Sequence, residues 1–175
     1  MDHRDLLRDA FGRIEGTMRL CLDGLAPQQL VYRPSEQANS LGWLAWHLTR
    51  VQDDHVSELA NQPQAWIADG WHARFSMPAD PTDTGFGDGP EQVAALRPAG
   101  AQVLLDYYAA VHQRSIAYIE RVTAAELDRV LDEPQWDPPP TVGVRLVSVV
   151  ADCLQHLGQM AYLRGLIEDR HWFPA

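Results

Sequence analysis

The chain has 175 residues, of which 46% are hydrophobic, and its formal net charge at pH 7 is -10. A chain of this length and composition can bury a substantial core, which excludes global disorder. Its negative charge, together with arginines that are scattered rather than clustered, disfavours nucleic acid as a partner. We therefore expect one folded domain over residues 1–175.

The sequence gives no indication of export or of membrane insertion. No uncharged apolar run approaches the ~18 residues needed to span a bilayer. The first ten residues, MDHRDLLRDA, are charged and lack the apolar segment of a secretory signal. The cysteines, Cys21 and Cys153, are too few for a disulfide framework and fit a reducing compartment. We predict a cytoplasmic protein without a membrane partner.

The first two long helices are predicted from apolar residues at helical spacing. The first covers residues 4–22 and is stopped by Gly24 and Pro27. A connector with two prolines, APQQLVYRPSEQANS, leads to the second helix over residues 41–60. Asn39 or Ser40 is expected to cap this second helix at its N-terminus.

The segment between the second and third helices, residues 61–90, is rich in Pro, Gly and Asp. It is too long for an idle connection in a compact domain, so we expect this loop to shape a site. The third helix is predicted over residues 99–122. After it, TAAEL predicts a short turn in which Thr123 is the cap and Glu126 completes a capping box.

The last helix is predicted over residues 142–169, after the rigid break EPQWDPPP. Its first half, TVGVRLVSVV, is rich in β-branched residues and also permits a strand, but the apolar pattern continues into a clear helix. Four long amphipathic segments without paired strands predict an all-α fold. The expected architecture is a four-helix bundle with a long loop between the second and third helices.

Three side chains on two of these helices form a candidate metal site. Asp152 and His156 are four residues apart on the last helix, which places their Cβ atoms about 5–6 Å apart on one face. His47 lies among apolar neighbours of the second helix, so it is expected to face the interior. Two imidazoles and one carboxylate are the ligands of an open, catalytic type of metal site. The alternative is a hydrogen-bonded core histidine and a local Asp–His pair.

Five further residues are candidates for contacts around the site. His55 lies about 80° round the helix from the candidate histidine ligand, either exposed or beside a ligand. Asp54 is nearer in angle and is either a residue that orients a ligand or a solvated acid. Gln159 lies on the face of the candidate carboxylate, where it either touches a ligand or substrate or packs between helices. His72 and Arg74 lie near the long loop and could line a pocket mouth.

The sequence resembles the DinB-like superfamily over nearly its whole length. The resemblance is carried by SLGWLAWHLTR and DCLQHLGQMAYLRGL, with support from LAPQQLVYRPSEQANS and PTDTGFGDGPEQVAALRP. It points to the branch first catalogued as a domain of unknown function. It implies a four-helix bundle that binds a divalent metal, usually zinc or nickel, through His47, Asp152 and His156. Many relatives have histidine or glutamate where this chain has the shorter Asp152.

The resemblance also implies a class of reaction. Some members of the superfamily that this sequence resembles are S-transferases or isomerases that use a low-molecular-weight thiol. In GC-rich actinobacteria that thiol is mycothiol. All 14 basic residues here are arginine, which is compatible with a GC-rich genome. The isomerases carry an additional C-terminal domain, whereas this sequence ends at HWFPA, which favours a stand-alone transferase acting on a small electrophile. Whether a metal-bound thiol or a metal-bound water acts in catalysis stays open.

Other functions are compatible with the same ligands. The set also suits iron in an oxygenase, which the family resemblance disfavours, and a metal-assisted hydrolase. A non-enzymatic reading is a degraded or metal-binding dimer in a stress response. A homodimer through helix faces is expected, with Trp43 and Trp46 either in that interface or in the core.

Overall fold

The computed structural model describes residues 1–171, in which the backbone is mainly helical. Within this range the one β-type pairing is an isolated bridge between Val130 and Thr141. The helices in chain order are α1 (His3–Leu22), α2 (Pro27–Leu30), α3 (Leu41–Leu59), α4 (Ala65–Ala68), α5 (Trp71–Arg74), α6 (Pro90–Ala95), α7 (Ala101–Ile119), α8 (Ala124–Leu127) and α9 (Val142–Glu168).

The four long helices form the predicted bundle. Helix α3 packs against α7 and α9, and α1 packs against the same two helices from the other side. The all-α fold and the long loop between the second and third long helices are confirmed. The strand alternative at the start of the last helix is wrong, because α9 begins at Val142 with Thr141 as its cap. None of the described helices is long and apolar enough to cross a membrane.

Helix α3 is the most enclosed element of the bundle. Fifteen of its 19 residues are buried, including every residue from Leu41 to Arg50. Trp43 and Trp46 are 5% and 1% exposed, so both belong to the core within this chain. Buried polar groups are costly unless they are hydrogen-bonded, so the polar residues of α3 need partners from neighbouring elements.

The connection between α3 and α7 supplies many of those partners. Asp53 of α3 accepts hydrogen bonds from the backbone N–H groups of Ala65 (2.9 Å) and Trp66 (2.8 Å), at the start of α4. The Tyr107 hydroxyl of α7 donates to the same carboxylate at 2.9 Å. Asp53 therefore ties the loop and α7 to the centre of α3.

The short helix α8 forms with half of its predicted capping box. The Thr123 hydroxyl accepts a hydrogen bond from the backbone N–H of Glu126 at 3.1 Å. The Glu126 carboxylate does not complete the box; it accepts hydrogen bonds from Arg129 (2.8 Å) and Tyr118 (3.4 Å). An arginine three residues away offers this carboxylate a stronger, charge-assisted partner than the cap backbone does.

We expect Asp53→Ala to lower the free energy of unfolding by about 3–5 kcal/mol, because it leaves the buried Arg50 guanidinium without its carboxylate. Urea denaturation measures this change. The matched control is Asp69→Ala, which removes an exposed ion pair with Arg114 and should cost about 1 kcal/mol or less. Equal effects of the two substitutions would show that Asp53 does not hold the loop to α3.

Candidate metal centre

The structure brings His47, Asp152 and His156 together where α3 packs against α9. Each offers one ligand atom, and these atoms all lie within 4.8 Å of one another. The two imidazole centroids are 4.8 Å apart and the rings are nearly perpendicular, at 80°. His47 is buried, whereas Asp152 and His156 are half-buried. The three residues therefore form a possible metal-binding triad that solvent can reach from the α9 side.

Each of the two histidines has a hydrogen-bond partner at its Nδ1 atom, which orients the imidazole ring. His47 Nδ1 lies 2.6 Å from the carbonyl oxygen of Thr84, and His156 Nδ1 lies 2.9 Å from Gln159 Oε1. Both oxygens are acceptors, so each ring carries its proton on Nδ1 when it is neutral. The other ring nitrogen, Nε2, then carries the free electron pair that can bind a metal. A carbonyl or amide oxygen bonded to the second nitrogen is the usual support of a metal-binding histidine.

Asp152 provides an independent sign that the site suits a cation. Its Oδ1 lies 3.5 Å from His156 Nε2, but its Oδ2 is buried and has no hydrogen-bond partner among the described residues. An unsatisfied buried carboxylate oxygen is costly, and a bound cation would satisfy it. Two imidazole nitrogens and a carboxylate are ligands that zinc and neighbouring divalent metals accept. The donor set therefore fits a divalent metal.

The two imidazoles have opposite protonation preferences. Burial lowers the pKa of His47 below its ordinary value of 6.5, and the hydrogen bond to Thr84 only partly offsets this. Burial also acts to lower the pKa of His156, but the hydrogen bonds to Asp152 and Gln159 and the negative charge of Asp152 outweigh it, so the net shift is upward. A metal competes with the proton on His156 rather than on His47, so proton release should accompany metal binding.

The long loop lies directly on His47. Gly85 has a positive φ of 82°, and a Cβ at this position would lie 2.7 Å from Trp46 Cζ3 and 3.2 Å from His47 Nδ1. One face of the imidazole stacks on Trp43, with ring centroids 4.7 Å apart. Trp43 Nε1 in turn donates to Asp88 Oδ2 of the loop at 2.9 Å. Only glycine allows the loop backbone to approach the ring this closely.

A buried arginine holds this loop in place. Arg50, one turn after His47, is fully buried and donates to the carbonyl oxygens of Asp83 and Pro81, each at 2.9 Å. These carbonyls adjoin Thr84, whose own carbonyl accepts from His47. The sequence did not identify Arg50, Thr84 or Trp43 as site residues, although an arginine inside the apolar stretch of α3 was a visible signal.

A cavity of about 1120 Å³ opens beside the triad. Its lining includes His47 and Asp152 of the triad, together with residues 132, 133, 135, 136 and 138–141 from the segment before α9. The expectation that the long loop shapes a site agrees with the lining, because Thr84 and Phe86 belong to it. A reactant bound in the cavity would contact the open side of the triad.

Three of the five further candidates lie at the triad or the cavity. Gln159 is the hydrogen-bond partner of His156. Asp54 and His55 both line the cavity. Asp54 accepts a hydrogen bond from Gln64 Nε2 at 2.7 Å. His55 Nδ1 lies 2.8 Å from an Arg145 Nη1 donor, so His55 belongs to a polar cluster beside the triad.

His72 and Arg74, by contrast, do not line this cavity. Both lie on the short helix α5. His72 packs its ring edge-on against Trp66, with centroids 6.3 Å apart. The Arg74 guanidinium lies 4.4 Å over the Trp71 ring. The structure thus packs both residues against tryptophans rather than at the cavity.

Comparisons with known proteins agree with this fold. A family model described as mycothiol-S-transferase matches residues 6–169. The chain is also similar to the crystal structure of a conserved protein from Enterococcus faecalis, at a TM-score of 0.89. The two are 28% identical, and the match covers 97% of this chain and 99% of that one. No curated protein sequence matches the chain significantly.

We expect histidine titrations in the metal-free protein to separate the two imidazoles. The midpoint of His47 should lie below 6.5 and that of His156 above it. Asp152→Asn should lower the pKa of His156, because it removes the carboxylate that stabilises the imidazolium. Side-chain NMR across a pH series measures both. A higher midpoint for His47 than for His156 would contradict the described hydrogen bonds.

Proposed function

Since the chain belongs to the mycothiol-S-transferase family, within the DinB-like superfamily, we propose that it is a divalent-metal-dependent S-transferase. Its thiol substrate would be mycothiol or a similar low-molecular-weight thiol, and its second substrate a small electrophile. The observation that supports this proposal is the cluster of His47, Asp152 and His156 beside an open cavity. Three ligands leave a coordination position for a reactant.

The proposed metal ligands are Nε2 of both histidines and the Asp152 carboxylate, with zinc or nickel as the metal. A divalent metal held there would lower the pKa of a bound thiol and make the thiolate available at neutral pH. The chain itself contributes orientation. The Thr84 carbonyl and the Gln159 side chain each engage Nδ1 of one imidazole, which leaves Nε2 of both rings available to a metal.

The nucleophile in this proposal is the substrate's sulfur rather than a thiol of the protein. Cys21 and Cys153 are both buried. Burial raises the pKa of Cys21 to about 12 and raises that of Cys153 further. In the overall reaction a sulfur–carbon bond forms, the bond from that carbon to the leaving group breaks, and the leaving group takes its electron pair. The thiol proton is released to solvent.

The proposal includes three expectations from the sequence. The chain acts as one domain, it works in the cytoplasm, where low-molecular-weight thiols are kept reduced, and it forms a homodimer. The expected domain includes residues 172–175, which lie outside the described residues. None of the three is needed for the chemistry at the triad.

The experiment that tests the proposal is a conjugation assay with mycothiol and an alkylating fluorophore, using zinc-loaded and nickel-loaded protein. We expect His156→Ala to lower the rate by about 100-fold or more, since outer contacts of a metal ligand alone are worth 10- to 100-fold. The control is His72→Ala, a histidine away from the triad, which should retain the rate. Metal-loaded protein that forms no conjugate with mycothiol or any other small thiol would refute the transferase proposal.

A second prediction concerns the loop that supports His47. We expect Gly85→Ala to weaken zinc binding by about 10- to 100-fold, because the added Cβ displaces the loop and with it the Thr84 carbonyl. Competition with a chelating dye measures the affinity. Gly87→Ala is the matched control, since Gly87 has a similar φ of 87° but no atom within 4 Å of the added Cβ. Equal losses in both variants would assign the effect to backbone strain.

A further inference from the structure

The cavity beside the triad has an apolar rim that faces solvent. Phe86, from the loop after α5, is 92% exposed, and Trp136, from the segment before α9, is 60% exposed. Both line the cavity, together with residues 138–140, which are all proline. Large aromatic side chains held in solvent around a concavity are typical of a ligand site. Proline adds an apolar wall that loses little entropy when a ligand binds.

The same cavity carries an excess of negative charge. Its lining includes one guanidinium, that of Arg145, and five carboxylates: Asp54, Glu58, Asp132, Glu133 and Asp152. The formal charge of the lining is therefore -4 with neutral histidines. A divalent cation at the triad would reduce this to about -2 without reversing its sign. Away from the metal itself, an anionic group would be repelled by these carboxylates, whereas a neutral or cationic one would not.

The single guanidinium of the lining already has partners. Arg145 Nη2 forms an ion pair with the Glu133 carboxylate, and both side chains are largely buried, at 14% and 13% exposed. Arg145 Nη1 lies 2.8 Å from His55 Nδ1, which accepts from it. A ligand carboxylate or phosphate could bind Arg145 only by displacing Glu133 from a charge-assisted hydrogen bond. The cavity therefore offers no ready anchor for an anion.

We propose that this cavity binds the electrophilic substrate of the reaction and selects an apolar or aromatic electrophile without an anionic group. This inference rests on the proposed transferase function and specifies its second substrate. The aromatic body packs between Phe86, Trp136 and the prolines. Its reactive carbon points toward His47 and Asp152, the triad residues in the lining. Electrophiles that carry carboxylate or phosphate groups are rejected by the surrounding carboxylates.

The test uses three unreactive naphthalene probes that differ in charge. They are naphthylmethyl-trimethylammonium, naphthylmethanol and naphthalenesulfonate, the last chosen because sulfonates are weak metal ligands. Calorimetry with the protein as purified gives each affinity. We expect the cation and the neutral probe to bind about tenfold or more tighter than the sulfonate. Because none of the probes reacts with a thiol, the result does not depend on whether transfer occurs.

Two variants assign the binding to this cavity. Trp136→Ala should weaken the cationic and neutral probes by at least about fivefold, because it removes a wall of the site. The double substitution Glu58→Gln with Asp132→Asn removes two carboxylates of the lining. It should therefore reduce the difference in affinity between the cationic probe and the sulfonate. Its control, Glu91→Gln with Asp23→Asn, changes the net charge equally at exposed positions outside the cavity and should leave that difference unchanged.

The outcomes separate this inference from the proposed function. The proposed charge selectivity of the cavity would be overturned by any of three results. These are no probe binding, a sulfonate that binds as tightly as the cation, or equal effects of the two double variants. The predicted order of affinities together with a failed conjugation assay would support the selectivity and reject only the transferase reaction.

Discussion

The burial of α3 is the constraint on which the rest of the structure depends. This helix is enclosed by α7, α9 and the long loop, yet it carries His47, Arg50 and Asp53 inside. Each of these polar side chains must be hydrogen-bonded to be tolerated there. The loop supplies many of the partners as backbone groups: two N–H groups for the carboxylate, two carbonyls for the guanidinium and one carbonyl for the imidazole. The contacts that stabilise the fold are thus also those that orient one side of the candidate site.

The two sides of the candidate site differ in how completely the protein encloses them. His47 is held by the loop backbone on one ring edge and by the Trp43 ring on its face, so its position is fixed by the core. Asp152 and His156 lie on the half-buried side of α9, next to the cavity. A site with one fixed ligand and an accessible pair suits a metal that must also bind a reactant. The acidic lining and the apolar rim then determine which reactants can approach.

The sequence predicted the long helices because their apolar residues recur with the local period of a helix. Apolar spacing gave the bounds of the four long helices to within three residues. The i, i+4 spacing of Asp152 and His156 and the apolar neighbours of His47 made the three a candidate site, the family resemblance named them as a ligand set, and the structure brings their ligand atoms within 4.8 Å of one another. The class of reaction came from the family resemblance rather than from these patterns.

Contacts made by loop backbone and by distant residues could not be predicted in this way. The carbonyl of Thr84 has no signature in the sequence, because every residue has one. His55 pairs with Arg145, 90 positions away, and nothing local to either residue indicates the contact. His72 and Arg74 are close to the loop in sequence, but the short helix α5 turns them toward tryptophans. Proximity along a loop is a weak guide to position because short helices redirect the side chains.

The metal content of the protein tests the central claim most directly. Elemental analysis of protein purified without a metal-affinity tag should find about one zinc or nickel per chain. The metal should be lost in His156→Ala and retained in His72→Ala, since only the first residue belongs to the triad. Wild-type protein that contains no zinc or nickel, even after incubation with both metals, would contradict the account and leave the three residues as a hydrogen-bonded cluster between α3 and α9.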